Sequence, residues 1–357
     1  MLSLAGKSEN VRRREFLTTI YKPVEKELAL VEKRLKSPES VESLVFFLGL
    51  ENGKREHLCL EEMEKYIIEA GGKRLRAGIV LLCAKLCGAK PQGAISLAVS
   101  IELFHTASLV IDDIMVDANI RRSKPTLHRK WDESSALATA LGLQLRSLPS
   151  FFESLKNAFD PVGLLSLMGQ TVTRVLWGAL LQHRRRTDYG LTEKEYFEII
   201  EHKTSALFEA CAEGGAVIAG APLKIRKTMR KYGYHLGRAF QITDDVLDYA
   251  GDPQKTGKCV GSDIAEGRAT LPLIHFWRKA SGEDKKQMLK IIPPRRKSPI
   301  PLAKILELLN KYGSIEYCMK IARLDSSKAV KTLNVFAENS VRVSLKSIAQ
   351  LASNRNR

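Results

Sequence analysis

The chain has 357 residues, 44% apolar and 27% charged, which excludes a wholly disordered chain and provides enough apolar side chain for a sizeable core. Its 57 Lys and Arg against 40 Asp and Glu leave a formal net charge of +17, a surface that attracts polyanions: nucleic acid, anionic lipid or phosphorylated small molecules. The basic residues are scattered among acids, with no zinc-finger spacing and no aromatic-basic RNA motif, so nucleic acid is not an expected partner.

The opening MLSLAGKSENVRRREF has no apolar run of signal-peptide length before its charges, so a cytoplasmic protein is expected. Apolar residues then recur at three- and four-residue spacing almost throughout, beginning with EFLTTIYKPVEKELALVEKRL (15–35) and AGIVLLCAKLCG (77–88). AISLAVSIELFHTASLVI (94–111) is the most apolar long segment. It carries Glu102 and His105, which favours a buried helix of a soluble protein over a membrane span. Ser150 and Thr192 are expected N-caps, the latter with Glu195 three residues on as a capping box. LTEKEYFEIIEHKTSALFEACAEGGAVIAG (191–220) and IRKTMRKYGYHLGRAFQITDDVLDYA (225–250) read as helices. Gly and Pro clusters at 220–222, 251–253 and 291–301 separate elements, the last as an exposed basic loop. Two-residue alternation, low-complexity linkers and short repeats are absent, so the expectation is an all-α fold forming a single domain over 1–357. Six dispersed cysteines (Cys59, Cys83, Cys87, Cys211, Cys259, Cys318) lack metal-binding spacing and read as thiols of a reducing compartment.

Two acidic runs stand out. VIDDIMVDANIRRSKPTLH (110–128) sets Asp112, Asp113 and Asp117 before Arg121 and Arg122, beside a segment that otherwise reads as buried helix. Charges there are costly without a partner. In FQITDDVLDYAGDPQKTGKCVGSDIAEGRATLPLI (240–274), Asp244 and Asp248 share a helical face with Asp245 on its flank, and like charges at that spacing repel. Mg²⁺ removes the conflict, because it takes few carboxylates and completes its octahedron with water and phosphate oxygens. A solvated acidic face explains either run alone. Two runs, each ending an apolar helix and each followed by basic residues, favour metal and phosphate.

GGKRLR (71–76), ELFHTASLVIDD (102–113), RRSKPTLH (121–128), HKT (202–204), FQITDDVLD (240–248), GKCVGSD (257–263) and TLPLI (270–274) stand in the order and spacing of the trans-isoprenyl diphosphate synthase family, which the chain resembles best over 70–275. The resemblance implies a helical bundle around a central cavity, with the two aspartate motifs facing each other across its mouth. It also implies a Mg²⁺-dependent prenyltransferase that joins isopentenyl diphosphate to an allylic diphosphate. Three Mg²⁺ ions would be held by Asp112, Asp113, Asp117, Asp244, Asp245 and Asp248. Isopentenyl diphosphate would lie against Lys73, Arg76, His105 and Arg122. Arg121, Lys203 and Lys258 would hold the allylic diphosphate, Thr204 and Gln241 would line the reacting end, and Arg268 would add a phosphate contact. Read without the resemblance, Lys73 and Arg76 are a surface pair at a helix start and His105 is a core histidine. The place of His105 two turns before Asp112 on one face is what favours the site.

The match has departures. The third aspartate of the first motif usually stands four residues after the first, a place held by Val116, with Asp117 one later. On a regular helix Asp117 lies beneath Asp113 rather than Asp112, so either the helix end loosens or the motif binds Mg²⁺ weakly. Ala77 replaces a frequent proline, ALATALGLQL (136–145) lacks the usual Gly-Asp pair, and Arg268 replaces a lysine. These departures leave a second reading, a catalytically weak subunit of a heteromeric synthase. Small Ala107 and Ser108 before the first motif let a growing chain pass, and Phe104 is the next barrier, so the expected product has at least twenty carbons. The resemblance further implies a homodimer, and a greasy product with a basic surface suggests peripheral membrane contact.

Overall fold

The computed structural model describes residues 18–37, 54–251, 261–292 and 301–354. Lys258, Cys259, the opening 1–17 and residues 293–300 of the expected basic loop lie outside these. The helices are α1 (Glu25–Lys36), α2 (Lys54–Glu69), α3 (Leu75–Leu86), α4 (Pro91–Val116), α5 (Leu127–Lys130), α6 (Glu133–Lys156), α7 (Pro161–Arg184), α8 (Glu193–Ile200), α9 (Ala206–Ile218), α10 (Leu223–Ala250), α11 (Ser262–Ala265), α12 (Leu271–Lys279), α13 (Gly282–Ile291), α14 (Leu302–Lys311), α15 (Ser314–Thr332) and α16 (Ser340–Ser353). The fold is all-α, as expected. Among the described residues, strand is confined to the antiparallel hairpin of β1 (Ile120–Arg121) and β2 (Lys124–Pro125). Arg122 and Ser123 at its tip have φ of 52° and 62°, the paired left-handed pattern a two-residue turn requires. No Gly or Asn marks that turn, and strands of two residues are too short to alternate.

The chain divides into two compact units. The first comprises Met1–Gly169, Ala210–Arg230 and Phe336–Leu345; the second comprises Gln170–Glu209, Lys231–Val335 and Lys346–Arg357. In the first unit α4 is the central rod, with Leu97, Ile101 and Ala107 fully buried and α1, α3 and α6 packed around it. Each such Leu or Ile contributes about 1.5–3 kcal/mol by leaving water. Helices α4 and α7 are both long and apolar enough to cross a membrane by length and composition; 78% of the apolar window of α4 is buried within protein, against 28% of that of α7.

Three local expectations are corrected. The 15–35 segment is not one helix: Pro23 lies in a 3₁₀ turn (Lys22–Val24), and α1 starts only at Glu25. Ser150 is not an N-cap but lies inside α6, whose N-cap is Asp132, accepting from the Ser135 N–H at 2.8 Å. Pro149 costs a helix interior about 3 kcal/mol, and the long packing of α6 along α4 outweighs that cost. Finally, 191–220 is interrupted by a π-helical turn, Glu201–Ser205, between α8 and α9, where the Ala206 N–H reaches the Glu201 carbonyl five residues back. Thr192 caps α8 as expected: its hydroxyl accepts from the Glu195 N–H while the Glu195 carboxylate accepts from the Thr192 N–H at 2.9 Å.

The second unit has its own core, in which Tyr196, Ile199, Val246, Tyr249, Leu273, Phe276, Ile305, Leu309 and Ile315 are buried together. Gly237 of α10 sits against the π turn. A Cβ there would fall 2.6 Å from Ser205 Cα, so only glycine permits this backbone approach.

Candidate active site

In the first unit the GGKRLR segment leads into α3. Arg74 is its N-cap, with φ 46° and no side-chain cap bond. The missing acceptor comes from α4: Glu102 takes the Ala77 N–H at 3.1 Å and lies 3.6 Å from the Arg74 guanidinium. Arg74 also donates to Glu32 of α1 at 2.5 Å. Lys73 and Arg76 thus flank a helix start fixed by buried charge, and the Lys73 carbonyl accepts from the Tyr21 hydroxyl at 3.1 Å.

One α-helical step along α4 from Glu102 stands His105, whose Nε2 accepts from Arg76 Nη1 at 2.8 Å. Burial first, then the charges of Arg76, Arg122, Arg121 and Arg74, hold this imidazole well below the usual histidine range. It is therefore neutral, and its proton is on Nδ1. The Arg122 guanidinium is likewise lowered, by burial and then by Arg74 and Arg121. Cations crowd here to the point of disfavouring one another, and an anion relieves such crowding.

The first aspartates follow. Asp113, nearly enclosed, accepts from Arg121 Nε at 2.6 and 2.8 Å and from Arg121 Nη2 at 2.6 Å; burial raises its carboxyl against the lowering pull of Arg121. Asp112 lies 4.0 Å from Arg121 and keeps some exposure. Helix α4 ends at Val116, and Asp117 is its C-cap in left-handed conformation at φ 59°. That turn carries the Asp117 carboxylate, 74% exposed, to Arg129 at 2.6 Å. Among the chain-length residues, Phe104 and Ala107 are buried, and Ser108 donates to the His105 carbonyl at 2.8 Å.

In the second unit a polar relay runs from the π turn to α10. The Thr204 hydroxyl donates to Gln241 Oε1, and Gln241 Nε2 donates to Asp245 Oδ1, both at 2.7 Å. Asp245 Oδ2 accepts from the Tyr196 hydroxyl at 2.6 Å. Burial pushes the Asp245 carboxyl up to about 7 against these two hydrogen bonds. Asp248 organises the start of α11, accepting from the Ser262 hydroxyl at 2.6 Å and the Asp263 N–H at 2.8 Å. Arg268 pairs with Asp263 at 3.4 Å and with Glu266. Asp244 is partly exposed on α10, and Lys203 donates to Gln182 Oε1 at 2.7 Å. Tyr196, Gln182, Asp263 and Glu102 are site neighbours whose roles were not read from the sequence.

Taken unit by unit, the hard carboxylate oxygens of Asp112 in the first and of Asp244 in the second are donors of the type that a Mg²⁺- or Ca²⁺-like ion takes. Among the described residues no three His, Cys, Asp or Glu side chains converge as a ready metal group. Carboxylate donors are of the type that holds a divalent ion together with phosphate oxygens.

A family model described as polyprenyl synthetase matches residues 57–309. The chain is 34% identical over 294 residues to the all-trans-nonaprenyl-diphosphate synthase (geranyl-diphosphate specific) of Rhodobacter capsulatus, covering 82% of this chain and 88% of that one. Similar solved structures include the polyprenyl synthase from Caulobacter crescentus CB15 complexed with calcium and isoprenyl diphosphate, with TM-score 0.82, 29% identity, and 95% and 98% of the two chains covered. Another is the geranylgeranyl pyrophosphate synthetase from Pyrococcus horikoshii Ot3, with TM-score 0.83, 32% identity, and 97% and 100% covered.

Proposed function

Because this chain belongs to the polyprenyl synthetase family and is a prenyltransferase, we propose that it condenses isopentenyl diphosphate with an allylic diphosphate, in the presence of Mg²⁺, to a trans-polyprenyl diphosphate of geranylgeranyl length or longer. The observation that carries this reading is the crowd of guanidinium groups around His105. Arg76 meets His105 at 2.8 Å, and burial first, then the surrounding guanidinium charges, lower both His105 and Arg122, a setting that suits a multiply charged anion better than solvent.

Lys73, Arg76 and Arg122 would bind the diphosphate of isopentenyl diphosphate, with neutral His105 steadying Arg76. Lys203, Arg121 and Arg268 would hold the allylic diphosphate, joined by Lys258, and Thr204 with Gln241 would line its reacting end. Asp112 and Asp244 are the carboxylates that would hold divalent ions, whose chemistry when bound is to offset the charge that a departing diphosphate gains. The allylic C–O bond breaks and the diphosphate leaves with the electron pair. The isopentenyl double bond then forms the new C–C bond, and a proton is lost. Chain residues supply position and electrostatics, with no covalent nucleophile.

The family match runs through residues of both units, which supports reading 1–357 as one synthase domain. A homodimer is the favoured assembly. On α6, Leu137, Leu141, Leu145, Leu148 and Phe152 recur on one face and are each at least 40% exposed, a stripe that water tolerates poorly. Free thiols at Cys83, Cys87, Cys211 and Cys318 accord with a reducing cytoplasm. The test is product analysis of the purified chain given Mg²⁺, isopentenyl diphosphate and a series of allylic primers. A long prenyl diphosphate from the lone chain, abolished by chelation, is the expected result. Product that appears only with a second polypeptide replaces this reading with the heteromeric subunit.

A further inference from the structure

Within the first unit, residues 71–74 join α2 to α3 through two left-handed positions, Gly71 at φ 73° and Arg74 at φ 46°. A non-glycine residue readily leaves that region, so such a loop keeps its path only where its neighbours hold it. Arg74 is held through its side chain, by Glu32 and Glu102. Lys73 is held through its carbonyl, by the hydroxyl of Tyr21 at the head of the 3₁₀ turn that precedes α1. The Tyr21 ring fills a notch at Gly78 of α3, where a Cβ would fall 2.4 Å from the ring edge. The turn is tied further along the same helix, where Lys85 donates to the Pro23 carbonyl at 2.5 Å and lies 3.7 Å from Glu27. Burial, then the Glu102 charge, keeps the Tyr21 phenol above its usual range, so it stays a neutral donor.

The same loop backs a second cation. A Cβ on Gly72 would stand 3.1 Å from Arg122 Nη2 and 3.4 Å from its Cζ and Nη1, so the guanidinium lies against bare main chain. Any sag of the loop would move Lys73 and the platform behind Arg122 together. We propose that Tyr21 is a positioning residue for the isopentenyl diphosphate end of the site, its hydroxyl holding the 71–74 loop in the path that presents Lys73 and backs Arg122. This rests on the assignment of Lys73 and Arg122 to that diphosphate.

The experiment compares Tyr21→Phe, Gly72→Ala and Lys73→Met with the parent chain. The readouts are calorimetric Kd for isopentenyl diphosphate, KM for the isopentenyl and allylic substrates, and Tm. Tyr21→Phe leaves the ring in its notch and deletes only the hydroxyl. It should weaken isopentenyl diphosphate binding and raise that KM about fivefold, the scale of one neutral hydrogen bond, with the allylic KM unchanged. Gly72→Ala should shift the same two constants by pressing on Arg122, and parent-like binding there would remove the platform from the inference. A residue that merely holds the fold would lower Tm and the active fraction while leaving both KM values in place. If Lys73→Met loses affinity while Tyr21→Phe binds like the parent or raises both KM values alike, the inference about Tyr21 is overturned and the Lys73 assignment survives. If Lys73→Met also binds like the parent, both fall.

Discussion

Glu102 offers the sharpest test of how the isopentenyl side is built. Its carboxylate, 6% exposed, serves two groups at once: the Ala77 N–H in the first turn of α3 and the equally enclosed Arg74 guanidinium. Truncation in Glu102→Ala removes a helix cap, worth about 1 kcal/mol, and leaves the buried Arg74 guanidinium to its other carboxylate partner, Glu32. Breaking a buried ion pair costs about 3–5 kcal/mol, and Glu32 moderates this, so a total near 3 kcal/mol is reasonable. For a cooperative unit of 150–250 residues that corresponds to roughly 6–12 °C in Tm. Glu102→Gln keeps the acceptor for Ala77 but loses the charge, and should cost about half as much. Since Lys73 and Arg76 flank this helix start, the isopentenyl KM should rise in both variants while the allylic KM holds. Scanning calorimetry and steady-state kinetics read both effects. A Glu102→Ala protein whose Tm and isopentenyl KM match the parent would refute the idea that this carboxylate fixes α3.

His105 gives a pH prediction: its folded-state pKa is depressed by burial and by Arg76, Arg122, Arg121 and Arg74, so below the unfolded value near pH 6.5 the unfolded chain binds a proton the folded one refuses. Stability should fall as pH drops from 6.5, by up to about 1.4 kcal/mol per unit, and urea midpoints at two pH values should show a shallower dependence in His105→Gln. Phe104→Ala should lengthen the product and Ala107→Phe shorten it, read by chromatography of the dephosphorylated alcohols; unchanged distributions in both would remove this segment as the floor. Leu141→Glu with Leu145→Glu should convert a dimer to a monomer by light scattering, and unaltered mass would place the interface elsewhere. Asp117→Asn should leave the Mg²⁺ half-saturation within about twofold, because its carboxylate is directed to Arg129, whereas a large rise would show that the α4 terminus rearranges on binding.

The helical class was legible because burial needs an apolar stripe every three to four residues, and nearly every segment carries one. What the stripe conceals is how neighbours bend the rule. The 191–220 run has unbroken helical periodicity, yet at Glu201 it widens into a π turn, because Arg174 offers a second donor to the Glu201 carbonyl and two glycines let neighbouring backbones close in. Pro149 looks like a helix break, but α6 runs through it because residues on both sides of the proline, Leu143 and Phe151 among them, are buried and the helix packs along α4. Such outcomes depend on partners dozens of residues away, and no local window contains them.

The same division separates the legible part of the site from the rest. The aspartates stand out by type, because clustered carboxylates need a cation whatever the fold, whereas Lys73, Arg76, His105 and Arg122 are legible through the order and spacing of the family's motifs. Gln182, Tyr196 and Glu102 do not stand out by type, since an amide, a phenol and a buried acid are ordinary helix residues until their partner is known. Yet these decide what the obvious residues can do. Tyr196 and Gln241 take both oxygens of Asp245, Ser262 and Asp263 occupy those of Asp248, and Arg121 occupies those of Asp113. A motif written as three aspartates therefore does not supply three equivalent carboxylates: in each run the leading one, Asp112 or Asp244, keeps partial exposure, while Asp113, Asp245 and Asp248 are drawn into holding the scaffold around it. Val116, standing where a third aspartate is usual, leaves that asymmetry intact, because the leading carboxylate, Asp112, on which the proposed ion depends, is retained.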